Sequence, residues 1–219
     1  MTHALTLLLA LAGLASMAPV AQAQDAAAGQ KKASMCIGCH GIPGYQASFP
    51  EVHKVPMISG QGAKYVVSSL TAYKKGERKH PTMMAIAATL SEQDMADLGA
   101  FYEKHIKADM VKTVADTPAA TPSSDVAALL AKGNCASCHG ANFNKPIDGS
   151  YPKIAGQHAD YLYVALKAYQ TDGNPKVGRA NAIMASQVKQ FKLAELKALS
   201  RYIGSLPGDL QTVRQAPFR

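Results

Sequence analysis

Two thiols and an imidazole recur at fixed spacing in this chain. Cys36-Ile37-Gly38-Cys39-His40 and Cys135-Ala136-Ser137-Cys138-His139 each set two cysteines three positions apart with a histidine next in line. This is the attachment signature of a c-type haem. The two thiols are spaced to add across the two vinyl groups of one porphyrin, and the adjacent histidine then reaches the iron as proximal ligand. Together the two motifs use every cysteine in the chain. A zinc site would place two such cysteine pairs about 15–20 residues apart, whereas these lie 99 residues apart. A thioredoxin-type redox pair needs a strand before the motif and a helix after it, and the sequence offers neither pattern.

A histidine-bound haem iron needs a sixth ligand or an open site. Nine methionines are available, and the internal repeat chooses among them. Aligning the last helices of the two halves sets Met83 opposite Met184 and Arg78 opposite Arg179. Shifting by one would pair Met84 with Met184, but it would set Leu90 against Gln190 and Met95 against Glu195. The apolar stripe therefore favours Met83, with Met84 the alternative. Met83 and Met184 lie 43 and 45 residues after His40 and His139. His/Met ligation saturates the iron and raises its potential, which suits electron transfer. His53, His80, His105 and His158 have no matched positions in the repeat and read as surface or structural histidines.

The elements that must hold these groups are helical. Pro56-Met57-Ile58-Ser59-Gly60-Gln61 recurs as Pro152-Lys153-Ile154-Ala155-Gly156-Gln157. Tyr65, Leu70 and Tyr73 match Tyr161, Leu166 and Tyr169, all at helical spacing. Ser91-Glu92-Gln93-Asp94 has the pattern of a helix start, and its counterpart is expected over Leu193–Ser205. Alternating strand patterns are absent. The expected fold class is all-α: two tandem small helical domains, which with their C-x-x-C-H motifs resemble cytochrome c domains. Their boundaries are 24–110 and 125–206, joined by a Pro/Ser/Thr/Ala linker at 111–124 and followed by a tail at 207–219. Residues 1–23 carry no charged side chain, are rich in Leu and Ala, and end Ala21-Gln22-Ala23. They read as a secretory signal cleaved near Ala23, which implies a periplasmic product.

Composition bounds the rest. The 219-residue chain is 47% hydrophobic, only 6% aromatic, and has no Trp. Neither disorder nor a multi-span membrane protein fits. Two domains of about 90 residues with so few aromatics need another apolar body at their centres, and a porphyrin would be one. The formal charge is +8, which favours an acidic partner or surface and allows peripheral membrane association. No nucleic-acid partner is expected. Basic residues outnumber acidic ones narrowly in 24–110 but by two to one in 122–219. The second half is therefore the expected docking side.

Two C-x-x-C-H domains, the Pro-x-x-x-Gly-Gln segments and a Met before each last helix resemble the di-haem cytochrome c4 family over residues 25–206. The resemblance implies two covalently bound haem c, with Cys36, Cys39, Cys135 and Cys138 as thioethers. His40 with Met83 and His139 with Met184 would be the axial pairs. Pro56 and Pro152 would orient the proximal histidines through their carbonyls, and Arg78 and Arg179 would meet the haem propionates. It also implies a periplasmic electron carrier, not an enzyme, between a quinol-oxidising complex and a haem–copper terminal oxidase. Two other functions use similar chains. One is the cytochrome subunit of a flavocytochrome-type sulfide dehydrogenase. The other is a di-haem redox enzyme such as a peroxidase or thiosulfate dehydrogenase.

Overall fold

The computed structural model describes residues 24–110 and 120–214. The segment read as a signal, 1–23, and most of the linker lie outside the described residues. Domain 1 runs α1 (Ala26–Lys32), α2 (Ser34–His40), α3 (Ala63–Lys74), α4 (Pro81–Ala88) and α5 (Glu92–Lys104). Domain 2 repeats the order as α6 (Ser124–Lys132), α7 (Ala136–His139), α8 (Ala159–Gln170), α9 (Ala182–Lys189) and α10 (Leu193–Ser205). A 3-10 turn (Ala108–Met110) and four strands of two residues each complete the described elements, the strands being β1 (Gln46–Ala47), β2 (His53–Lys54), β3 (Arg78–Lys79) and β4 (Gly178–Arg179).

Local chemistry explains the helix starts. Ser91 Oγ accepts the Asp94 N–H at 3.1 Å while Asp94 accepts the Ser91 N–H at 3.0 Å, so a reciprocal capping box opens α5. The second half lacks a serine there. Its α10 keeps half of the device, with the Lys192 N–H donating to Glu195 at 2.6 Å. The last helix of each domain then supplies the core. Met95, Leu98, Phe101 and Tyr102 of α5 pack with Ala33 and Leu90. Leu196 and Leu199 of α10 pack with Val188 and Phe191.

The domains are tied by contacts that approximate a twofold relation. β3 pairs antiparallel with β4, Arg78 opposite Arg179. The Gln61 side chain donates to Lys153 O at 3.0 Å and accepts from Lys153 N at 2.9 Å. Gln157 makes the same clasp on Met57, at 2.9 and 3.0 Å. Lys167 and Glu51 form an ion pair across the boundary at 3.0 Å.

The segment after α10 acts as a strap. Leu206, Leu210, Gln211 and Val213 are all buried. Gln211 donates its N–H to Ser59 O at 3.0 Å, and its side chain accepts the Lys107 N–H at 2.9 Å, both in domain 1. Asp209 bonds Asn144 through its N–H and Lys153 through its carboxylate, each at 3.0 Å. Gly60 makes room for this path. Its φ is +85°, and a Cβ there would stand 2.7 Å from Asp209 O, so only glycine fits. Removing residues 208–219 should therefore cost about 3 kcal/mol, the lower end for exposing two buried aliphatic side chains. In calorimetry of the holoprotein the domains should melt as two separated transitions, the first below the parent's. Unchanged melting of the truncated protein would contradict this role.

Candidate haem sites

Each C-x-x-C-H motif sits on a short helix near the start of its domain, α2 or α7. All four thiols are free. Burial pushes the Cys36 and Cys135 thiols up, for Cys36 against the pull of the Tyr102 hydroxyl. The motif histidines point their Nδ1 atoms away from the motif. His40 Nδ1 donates to Pro56 O at 2.8 Å, and His139 Nδ1 to Pro152 O at 3.0 Å. A carbonyl can only accept, so Nδ1 carries the proton and Nε2 keeps its lone pair. Burial lowers both imidazoles below their ordinary values, against the pull of these carbonyl bonds. They are therefore neutral at pH 7, the form that ligates a metal.

A continuous cavity of about 750 Å³ joins these groups, lined by all four cysteines and both histidines. Met83 and Met184 line it too, whereas Met84 is not among its lining residues. The walls are otherwise largely apolar: Ile58, Leu70, Leu98, Leu162, Leu166 and Leu199 all contribute. The sulfurs that the repeat aligned stand on helices of their own, α4 and α9. Pro81 opens α4 at the position where a missing N–H costs nothing. Asn181 opens α9 by accepting the Met184 N–H at 2.9 Å.

Arg78 and Arg179 meet where the two halves of the cavity join. Tyr161 Oη accepts from Arg78 Nη2 at 2.7 Å and from Arg179 Nη2 at 3.1 Å. Arg78 also reaches Ser69 Oγ at 2.9 Å and lies over the Tyr73 ring at 4.6 Å. Burial raises the Tyr161 phenol, but the Arg179 and Arg78 guanidiniums outweigh it and bring the phenol below its usual range. Among the described residues no carboxylate pairs with either arginine, and Arg78 Nε is buried without a partner. Two adjacent cations with an orphaned donor suit an anion that the chain itself does not supply. Four thiols, a largely apolar cavity, an imidazole lone pair, a cavity-lining thioether and two guanidiniums without a carboxylate partner together fit haem with its propionates.

The remaining histidines divide. His53 is buried, stacks on Tyr161 at 6.2 Å and donates to Glu51 O at 2.8 Å. It lines the cavity as well. His80 also lines the cavity, with Nδ1 buried and unpartnered. The repeat gave no sign of this, because the matched residue is Asn181. The docking expectation for the second half also narrows. Lys153 and Lys167 are held by Asp209 and Glu51, while Lys176, Lys189 and Lys192 stay exposed.

Two helical domains in tandem, each with a C-x-x-C-H motif and a cavity-lining methionine before its last helix, define a two-domain c-type cytochrome. The Cytochrome c family model matches residues 123–207. The chain is 30% identical to cytochrome c4 of Azotobacter vinelandii, covering 94% of this chain and 100% of that protein. It is also 30% identical to a thiosulfate dehydrogenase electron acceptor of Stutzerimonas stutzeri, covering 90% and 94%. The crystal structure of reduced recombinant cytochrome c4 from Pseudomonas stutzeri superposes with a TM-score of 0.58 at 26% identity, covering 84% of this chain and 100% of that one. The chain belongs to the cytochrome c4 family, and its cofactors are two covalently bound haem c. It is an electron carrier.

Proposed function

We propose that this carrier moves electrons through the periplasm, from a quinol-oxidising complex towards a haem–copper terminal oxidase. The observation that best supports the carrier reading is that the motif histidine and the repeat-aligned methionine of each domain, His40 with Met83 and His139 with Met184, line one cavity. When bound there, each haem takes up and returns one electron at its iron. The residues of the chain supply the rest. Cys36, Cys39, Cys135 and Cys138 would anchor the groups, His40 with Met83 and His139 with Met184 would be the iron ligands, and Arg78 and Arg179 would neutralise propionates. An iron held by both a histidine and a methionine would leave no open coordination site for a substrate, which is why the carrier reading is preferred to a di-haem enzyme.

The cleavage near Ala23, the domain limits and the flanking partners belong to the same reading. No described helix is long and apolar enough to cross a membrane. The likeness to a thiosulfate dehydrogenase electron acceptor favours a second source of electrons, a periplasmic sulfur-oxidising enzyme. The test is a haem spectrum and redox titration of the mature protein, followed by stopped-flow reduction by each donor. Two low-spin haems per chain and rapid reoxidation by the oxidase are expected. A high-spin haem in the resting protein would count against saturated ligation. Charge reversal at Lys176, Lys189 and Lys192 should slow the partner reaction at low salt and converge with the parent at high salt. Equal rates at low salt would remove the second domain as the docking side.

A further inference from the structure

We propose that Gln61 and Gln157 are positioning residues acting across the domain boundary, each polarising the peptide unit that holds the other domain's proximal histidine. The proposal rests on His40 and His139 being the proximal iron ligands.

The geometry is specific. Pro152 C=O accepts the His139 Nδ1 proton at 3.0 Å. The N–H of that same peptide unit belongs to Lys153, and it donates to Gln61 Oε1 of domain 1 at 2.9 Å. Domain 1 mirrors the arrangement. Pro56 C=O accepts from His40 at 2.8 Å, and the Met57 N–H of that peptide donates to Gln157 Oε1 at 3.0 Å. Both glutamine side chains are buried, at 4% exposure each. Each Oε1 also accepts the N–H that follows it in its own chain, from Gly62 at 3.1 Å and from His158 at 3.0 Å. Each Nε2 returns a bond to the clasped residue's carbonyl. Every polar atom of both amides is thus engaged, and their orientation is fixed.

A chain of three groups follows: glutamine oxygen, peptide, imidazole. An acceptor on the N–H side of a peptide strengthens its carbonyl as an acceptor, because hydrogen bonds in series polarise one another. A stronger carbonyl draws the Nδ1 proton and makes the imidazole a better electron donor to iron. Such outer-shell bonds tune a metal's affinity and potential. Better donation stabilises the oxidised iron, so each domain lowers the potential of the other's site by docking on it. A glutamine that merely glued the domains together would have no reason to act on one potential more than the other.

The experiment uses the full holoprotein. Gln61→Met removes both bonds to Lys153, and the local one from Gly62, with little change in volume. It should raise the domain 2 potential and make that site at least threefold more electron-accepting, about 28 mV at about 59 mV per tenfold for one electron. The domain 1 potential should stay at the parent value. Gln157→Met should do the converse. Spectroelectrochemical titration reads both potentials, with NMR of the axial methionine methyls assigning each to its domain. Shifts in the substituted domain's own haem, equal shifts in both, or none would overturn the proposal. Should Gln61→Met not fold, Gln61→Glu keeps an acceptor toward the Lys153 N–H. It is expected to hold the domain 2 potential at or below the parent's, and a rise would overturn the proposal. A parent spectrum without histidine-ligated iron at both motifs would sink the ligand assignment itself. Normal parent ligation with unmoved variants removes only the glutamine role.

Discussion

Replacing Cys36, Cys39, Cys135 and Cys138 with alanine should leave a chain that has lost most of its helical circular dichroism. The reason is volume. A cavity of about 750 Å³ with largely apolar walls runs through both domains, and without haem those walls lose the contacts that bury them. The folded chain has no means of closing the gap. Trp is absent and only five Phe are present, and Phe101, Phe143 and Phe191 are already committed to the side-chain clusters behind the cavity. The variant keeps both histidines, so loosely held haem added in solution should restore part of the signal. Native-like dichroism and a cooperative melt in the haem-free variant would show that the protein core suffices alone.

The same accounting explains what could be read from the sequence. The C-x-x-C-H motifs, the duplication and the last helix of each domain are local signals. Ser91 through Asp94 starts α5 by bonding within four residues, and Leu196, Leu199 and Ile203 form one stripe on α10. Such signals survive in a linear reading because the partners are near in the chain. The clasps were only half visible. Gln61 and Gln157 stood out as repeated letters, but each bonds a residue nearly a hundred positions away in the other domain, and no periodicity reports that. The strap was read as an extra tail for a similar reason. Leu206, Leu210 and Val213 stand at helical spacing in a segment that forms no helix, and Leu206 packs with Phe143, Leu162 and Ile203, so their spacing does not report the extended path they follow. The two short helices carrying Met83 and Met184 were also missed as helices. With eight residues each, they are too short for periodicity to declare itself.

Substituting the facing sulfurs should produce the largest functional change, and it should separate Met83 from its neighbour. Met83→Ala is expected to convert the domain 1 iron from low to high spin. It should lower that site's potential by more than about 100 mV, a fraction of the roughly 0.8 V that axial ligands control. Met184→Ala should do the same in domain 2, with the other domain's spectrum unchanged in each case. Met84→Ala should leave both haems low-spin. The contrast follows from α4. Pro81 fixes its first turn, Met83 reaches the cavity wall, and Met84, one step of about 100° further round the helix, does not line it. Domain 2 has less freedom still, since the Asn181 side chain holds the Met184 N–H and so sets the first turn that presents the sulfur. Asn181→Ala should therefore loosen the Met184 ligand without removing it, giving a spin mixture that sharpens toward low spin on cooling. Electron paramagnetic resonance of the four variants reads every part of this. A high-spin domain 1 in Met84→Ala, with Met83→Ala unchanged, would shift the repeat register by one and transfer the ligand role to Met84.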